Sequence, residues 1–244
     1  MRNNTTLVTG AGRGIGFEVA RKFASKKHNL VLIIRKKTQK KKLEKLKKLF
    51  NIETKILIGD LRNLKFVKKL SKINLKIDNV INNAAGENQK HFLNVSEKDL
   101  NDMISINLKS TFLISQIFAK KMIKNRIKGN IISISSQLGH TAAYNRSIYC
   151  MTKFGIEGLT KSLAMDLGKY GIRVNSVSPT KTIIDNNELK KNEKRLNLIK
   201  KKIPLNKFST TSEIASIVYF LTTQAAGSIT GTSLLSDGGW TAGK

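Results

Sequence analysis

TTLVTGAGRGIGFEVARKFA, at positions 5–24, passes from a β-branched apolar run through a glycine-rich turn into a helical pattern. Residues 6–9 read as a short buried strand. Ile15, Val19, Ala20, Phe23 and Ala24 then recur at the spacing of one helix face. Between the two, TGAGRGIG at 9–16 puts glycines where the backbone has to come close to a ligand, at a helix N-terminus that attracts an anion such as a pyrophosphate. The strict GxGxxG spacing fails, because Ile15 stands where its last glycine would fall after Gly10 and Gly12. The strand-to-helix setting therefore carries the reading, with Gly10, Arg13, Gly14, Ile15 and Gly16 as the expected cradle.

Outward from this unit, apolar β-rich runs alternate with amphipathic stretches along the whole chain, the pattern of βαβ units and a parallel sheet. Strands are expected at 6–9, 30–34, 55–58, 79–82, 130–135, 173–178 and 233–236. Seven strands fit one doubly wound α/β sheet with helices on both faces. A second helical stripe is expected from Leu43, Leu46, Leu49 and Phe50, with the lysines of 35–50 on the solvated side. No repeat, proline-rich linker or composition break divides the chain, so residues 1–244 are expected to form one domain. The least regular stretch, 180–206, is polar, lies near Pro179 and Pro204, and is expected to be a substrate loop.

Composition narrows the function classes. No run of about 18 apolar residues is present, and the first residues lead straight into a strand, so a soluble cytoplasmic protein without membrane association is expected. Cys150 is the lone cysteine and His28, His91 and His140 are scattered, which leaves no metal-ligand spacing. The charge is extreme, with 45 Lys and Arg against 16 Asp and Glu, a formal +29. Such a balance suits a polyanion partner. The lysines, however, are spread through the chain among many Asn and Ile residues, so a solvated surface is preferred to nucleic-acid binding.

About twenty residues after the glycine turn, a dinucleotide site places an acid on the ribose 2′-hydroxyl or a cation on a 2′-phosphate. This chain has Arg35 and Lys36 there, with Arg13 inside the turn. NADP(H) is favoured over NAD(H), since a guanidinium meets phosphate by bidentate geometry. In so basic a chain a cation at any one position is common, and NAD(H) stays open.

TGAGRGIG resembles the TGxxxGxG turn of the short-chain dehydrogenases/reductases, and further motifs of that family follow in order over nearly the whole chain. GDL at 59–61 resembles the family's acidic end of the third strand, which implies an adenine contact for Asp60 and Leu61. NNAAG at 82–86 resembles its NNAG element, with Ala85 for the usual glycine; Asn83 and Ala84 would flank the cofactor. YCMTK at 149–153 sets Lys153 one helical turn past Tyr149, on the same face. Ser136, thirteen residues before the tyrosine, and Asn107, in ISINLKSTF, match the family's remaining catalytic positions. ITGTSLLSDGGW at 229–240 resembles its last strand and turn, and is read as packing. Pro179-Thr180 departs from the usual Pro-Gly, and Thr182 occupies the position whose backbone meets the carboxamide.

The resemblance implies a Rossmann fold and an oxidoreductase that interconverts a carbonyl and an alcohol. Tyr149 would act as general acid or base, its pKa of about 10 lowered by Lys153 and a helix N-terminus. Ser136 would bond the carbonyl oxygen, Lys153 would hold the nicotinamide ribose, and Asn107 would join a water relay behind it. The chain looks most like the 3-oxoacyl-carrier-protein reductase branch, with sugar or polyol dehydrogenases as the alternative. An acidic carrier protein would suit the cluster Lys120, Lys121, Lys124, Arg126 and Lys128. The family's homotetramers imply contact surfaces on helices 96–124 and 149–170. Cys150 and the histidines are read as packing or surface residues.

Overall fold

The structure, a computed structural model, describes residues 3–183 and 193–243. Its centre is a seven-stranded parallel sheet in the order β3-β2-β1-β4-β5-β6-β7. The strands are β1 (Thr5–Thr9), β2 (Asn29–Ile34), β3 (Thr54–Ile58), β4 (Asn79–Asn82), β5 (Asn130–Ile134), β6 (Arg173–Pro179) and β7 (Ser233–Ser236). These bounds fall within one residue of the sequence expectation at every end. The inner strands are short runs rich in Val, Ile and Leu, as parallel strands buried on both faces need, while the edge strands β3 and β7 are partly exposed.

The helices are α1 (Gly14–Ser25), α2 (Lys40–Phe50), α3 (Leu64–Lys69), α4 (Glu97–Met103), α5 (Ser110–Lys124), α6 (Ser147–Gly168), α7 (Glu193–Lys200) and α8 (Thr211–Leu221). Side chains of each strand alternate between two cores. Val8, Leu30, Leu32 and Ile34 join Val19, Phe23, Leu43, Leu46 and Val218 on the face covered by α1, α2 and α8. Leu7, Val31 and Ile33 join Val67, Leu70, Phe118, Met122 and Leu167 on the face covered by α3, α5 and α6. Phe23, His28 and Tyr219 stack edge to face where α1 meets α8, and His28 also bonds the Thr6 hydroxyl at 3.0 Å, so this histidine is a packing residue.

The chain leaves β1 toward one face and β4 toward the other. Because β1 and β4 are neighbours, a crevice opens at their C-terminal ends, the switch point where open α/β sheets bind ligands.

Two expectations need correction. Leu49 does not belong to the buried stripe of α2: it is 71% exposed, while Leu43 and Leu46 are buried. Two leucines per three turns suffice to seat this short helix, and Leu49 lies past the edge of that face. The stretch 96–124 is not one α-helix either, because a π-helical segment, Ile104–Lys109, separates α4 from α5. Of the expected substrate loop 180–206, residues 184–192 lie outside the described residues. Thr182 bridges Ser209, and α7 follows. Among the described residues no helix is long and apolar enough to cross a membrane.

Truncation separates the two leucines of α2. Leu46→Ala should cost about 2–5 kcal/mol in denaturant unfolding, whereas Leu49→Ala should stay within about 0.5 kcal/mol. Equal effects would mean that α2 docks on a different face.

Candidate active site

The glycine turn is shaped by close approach. Gly10 has φ of +65°, and a Cβ on Gly16 would collide with both the Asn83 amide nitrogen and the Gly10 carbonyl oxygen. Asn83 Nδ2 donates to the carbonyls of Thr9 at 2.9 Å and Gly10 at 3.3 Å. The Thr9 hydroxyl accepts from the backbone N–H groups of Asn83 and Ala84, both at 2.9 Å. The N-terminus of α1 carries no side-chain cap and no acid in its first turn. Its N–H groups and dipole are therefore free to receive an anionic group, as a pyrophosphate requires.

A cleft of about 620 Å³ extends from this turn along the C-terminal ends of β1, β2, β3 and β4. Of the residues expected at the cofactor, Gly10, Arg13, Gly14, Ile15, Arg35, Asp60, Leu61, Asn83 and Ala84 line it. Gly16 lies beneath, against Gly10 and Asn83. Tyr149, Lys153 and Thr182 do not line it, and the Thr182 hydroxyl donates to the Thr180 carbonyl at 3.2 Å. Arg13, Arg35 and Lys36 gather at one end, beside Gln39, whose amide covers the space where Gly12 lacks a side chain.

Asp60 is ion-paired: Arg62 donates to its carboxylate from Nε and at 2.7 Å from a terminal nitrogen. That hydrogen bond holds the Asp60 carboxyl below the usual carboxylate range. Arg62 also reaches Asp102 at 3.1 Å, and Asp102 accepts from Lys98 at 2.7 Å. Gln39 and Arg62 escaped the sequence reading. A cation two places past Asp60 was the only available signal for Arg62, and nothing marked Gln39.

At the next strand end, Ser136 follows β5 and Tyr149 and Lys153 stand on α6. The Ser136 hydroxyl accepts from the Leu138 N–H at 3.1 Å and interacts with the Tyr149 hydroxyl. Lys153 is buried, and its ammonium donates to the Ile134 carbonyl at 2.8 Å, 5.6 Å from the Tyr149 ring centre. Burial lowers the Lys153 pKa to about 8 against the opposing pull of Glu157. Asn107 sits in the π segment, a distortion common at functional sites. Its side chain accepts from Gly86 N at 2.8 Å and donates to the Thr152 hydroxyl at 2.9 Å, so it ties the segment after β4 to α6. Arg146 adds a second tie from the start of α6, pairing with Glu87 at 2.5 Å.

The tyrosine departs from expectation. Burial pushes its pKa up to about 12, and the Ser136 hydrogen bond only partly offsets this. Burial is the larger effect, and the Lys153 ammonium gives its hydrogen bond to the Ile134 carbonyl, not to the phenol. A second correction concerns the basic cluster Lys120, Lys121, Lys124, Arg126 and Lys128. It spans the last turns of α5 and the link to β5, so it lies toward the N-terminal end of the strands, whereas the cleft opens at their C-terminal ends. A five-residue strand separates the two by about 17 Å, and Lys121 is committed to the Ile73 carbonyl. Cys150 is buried beside Tyr149 as a small filler.

A parallel sheet with an uncapped helix at its switch point, followed by a Ser-Tyr-Lys cluster, defines a nicotinamide-dependent oxidoreductase. The family profile described as enoyl-(acyl carrier protein) reductase matches residues 10–241. The chain is 32% identical over 98% of its length to the 3-oxoacyl-[acyl-carrier-protein] reductase FabG of Rickettsia conorii, covering 97% of that protein. It is 31% identical over 97% of its length to the L-xylulose reductase of Mus musculus, covering 96% of it. Its fold superposes on 4-hydroxyisoleucine dehydrogenase complexed with NADH with a TM-score of 0.92, at 30% identity over 99% of this chain and 100% of that one. The chain belongs to the short-chain dehydrogenase/reductase family and is an oxidoreductase that uses a nicotinamide cofactor.

The tyrosine's burial can be read directly. Ultraviolet difference titration should show Tyr149→Phe losing its ionisation step at the alkaline end, above about 10. Loss of a step near neutrality would mean that Lys153 acidifies the phenol after all.

Proposed function

We propose that the chain reduces a carbonyl to a secondary alcohol, or the reverse, with Tyr149 as the proton donor and acceptor. The meeting of Ser136, Tyr149 and Lys153 past the end of β5, next to Arg146 and its partner Glu87 of the cleft wall, carries this reading. A bound nicotinamide supplies or takes the hydride. The protein's own work is proton transfer and charge stabilisation. Tyr149 stays protonated at neutral pH, as a donor to a nascent alkoxide requires. The Ser136 hydroxyl donates to the carbonyl oxygen as negative charge develops on it. Lys153 presents a buried cation that favours the phenolate left behind and would hold the nicotinamide ribose. Asn107 keeps α6 in register with the segment after β4.

Gly10, Gly14, Ile15 and Gly16 would hold the pyrophosphate, while Asp60, Leu61, Asn83 and Ala84 would flank the adenine side. Arg13, Arg35 and Lys36 would receive a 2′-phosphate, which favours NADP(H) over NAD(H). As substrate we place first a 3-oxoacyl thioester, as for the Rickettsia relative, and second a sugar or polyol, as for the L-xylulose reductase. The cluster at residues 120–128 gives the carrier-protein reading no support, because it lies toward the opposite end of the strands from the cleft. For assembly we infer a homotetramer through α5 and α6, where Phe112, Met151 and Phe154 are 44–49% exposed. With a single, buried cysteine, the chain suits a reducing cytoplasm.

The catalytic reading is tested with Tyr149→Phe, which removes one hydroxyl and leaves the ring. Against a panel of ketones with each reduced nicotinamide, kcat should fall at least about a hundredfold while cofactor affinity stays similar. Near-wild-type turnover would remove Tyr149 from the chemistry. For cofactor choice, Arg35→Asp should weaken NADP(H) binding and strengthen NAD(H), since a carboxylate repels a phosphate and accepts from a hydroxyl. Unchanged dissociation constants for both would refute the assignment.

A further inference from the structure

A buried acid stands behind the proposed site with no part in the scheme above. Glu157 lies one helical turn past Lys153 on α6 and is only 8% exposed. A carboxylate in such a place must be held by hydrogen bonds or paired charge. Both of its oxygens are held: Oε2 accepts from the Ser176 hydroxyl at 2.7 Å and Oε1 from the Ser178 hydroxyl at 2.9 Å, two fully buried serines of β6. His140 Nε2 approaches Oε1 at 3.4 Å, and the same ring nitrogen is 3.2 Å from Ser178 and 3.1 Å from Ser233 of β7. His140 is therefore more than the surface or packing residue expected from sequence, because it ends a polar network that joins β6, β7 and α6.

The network's position gives it meaning. His140 stands four residues past Ser136, at the end of the short turn Gln137–Gly139. That turn rests on α6 so closely that a Cβ on Gly139 would lie 3.0 Å from the Lys153 carbonyl and 3.2 Å from Glu157 Cγ. The segment carrying Ser136 and the helix carrying Tyr149 and Lys153 are thus clamped together at His140 and Glu157.

We propose that Glu157, gripped by Ser176, Ser178 and His140, is a positioning residue that sets Ser136 against Tyr149 and Lys153 and balances the buried lysine's charge. The inference rests on the reading of Ser136, Tyr149 and Lys153 given above. The titratable groups that reach Glu157 are Lys153 on its own helix and His140 from the turn after β5; β6 and β7 face it with serine hydroxyls. Glu157 raises the pKa of Lys153 against desolvation, so its charge keeps the lysine cationic to higher pH. Removing the charge while keeping the shape lets Lys153 lose its proton at lower pH.

The experiment uses the full chain with the reduced nicotinamide it prefers and the small ketone that the wild type reduces fastest. Glu157→Gln keeps a side chain able to bond both serines but carries no charge. Its kcat should fall about tenfold, with the cofactor dissociation constant within about twofold of wild type, and the high-pH loss of reduction should begin at lower pH. His140→Gln, closer to solvent, should lower kcat about threefold in the same way. The double variant should be no slower than Glu157→Gln alone, as for two groups acting as one unit. Wild-type kcat and an unmoved pH limb in Glu157→Gln, or changes confined to melting temperature, overturn the proposal. If Glu157→Gln does not fold, the kcat of His140→Gln decides. Tyr149→Phe measured alongside separates the failures: its loss of turnover beside an unaffected Glu157→Gln sinks the positioning pair alone, whereas retained turnover in Tyr149→Phe sinks the site reading beneath it.

Discussion

The whole arrangement depends on how β1 and β4 are joined where they part. The chain leaves their ends for opposite faces of the sheet, and a gap must open between them. Thr9 and Asn83 close its floor, one hydroxyl accepting two backbone N–H groups and one amide donating to two carbonyls. This leaves no room for a side chain on Gly16, and the glycine turn takes the only course available. The uncapped start of α1 and the cleft above it follow from that closure. The cofactor cradle is thus a by-product of satisfying buried backbone groups at a topological break.

Much of this was legible in the sequence because it rests on local or periodic signals. Strand ends were marked by polar residues after β-branched runs, and the stripe of Val19, Ala20 and Phe23 on α1 was set by helical spacing. The gathering of Ser136, Tyr149 and Lys153 was foreseen by resemblance, since one helical turn separates two of the three. Charged partners across the fold carried no such mark. Arg62 meets Asp102 forty residues away, and Arg146 at the start of α6 meets Glu87 after β4. In a chain with 45 cations, no one cation announces its partner.

The misjudged features share a physical cause: each turned on where a group sits relative to bulk solvent or to the sheet's two ends. Tyr149 was expected to be acidified by a neighbouring cation, but burial raises its pKa and the cation is engaged elsewhere. The basic cluster at 120–128 was read as suiting an acidic carrier protein, but α5 carries it away from Asn107 to the opposite end of the strands. Leu49 fits a helical spacing but lies past the edge of the face that Leu43 and Leu46 bury. Likewise His140 and Glu157 looked unrelated, since they stand seventeen positions apart in the chain.

The placement of Tyr149, Lys153 and Glu157 on α6, and of Ser136 outside it, divides the region into a rigid part and an adjustable one. Along a helix, one added residue rotates everything beyond it by about 100°, so an insertion between 150 and 152 would turn lysine and glutamate away from the tyrosine together. Residues 141–146, between His140 and the start of α6, form no regular structure and include the almost fully exposed Tyr144. Lengthening that stretch alters no helical phase. Over evolutionary time such a molecule can grow or trim this one segment, while the spacing within α6 admits no change in length.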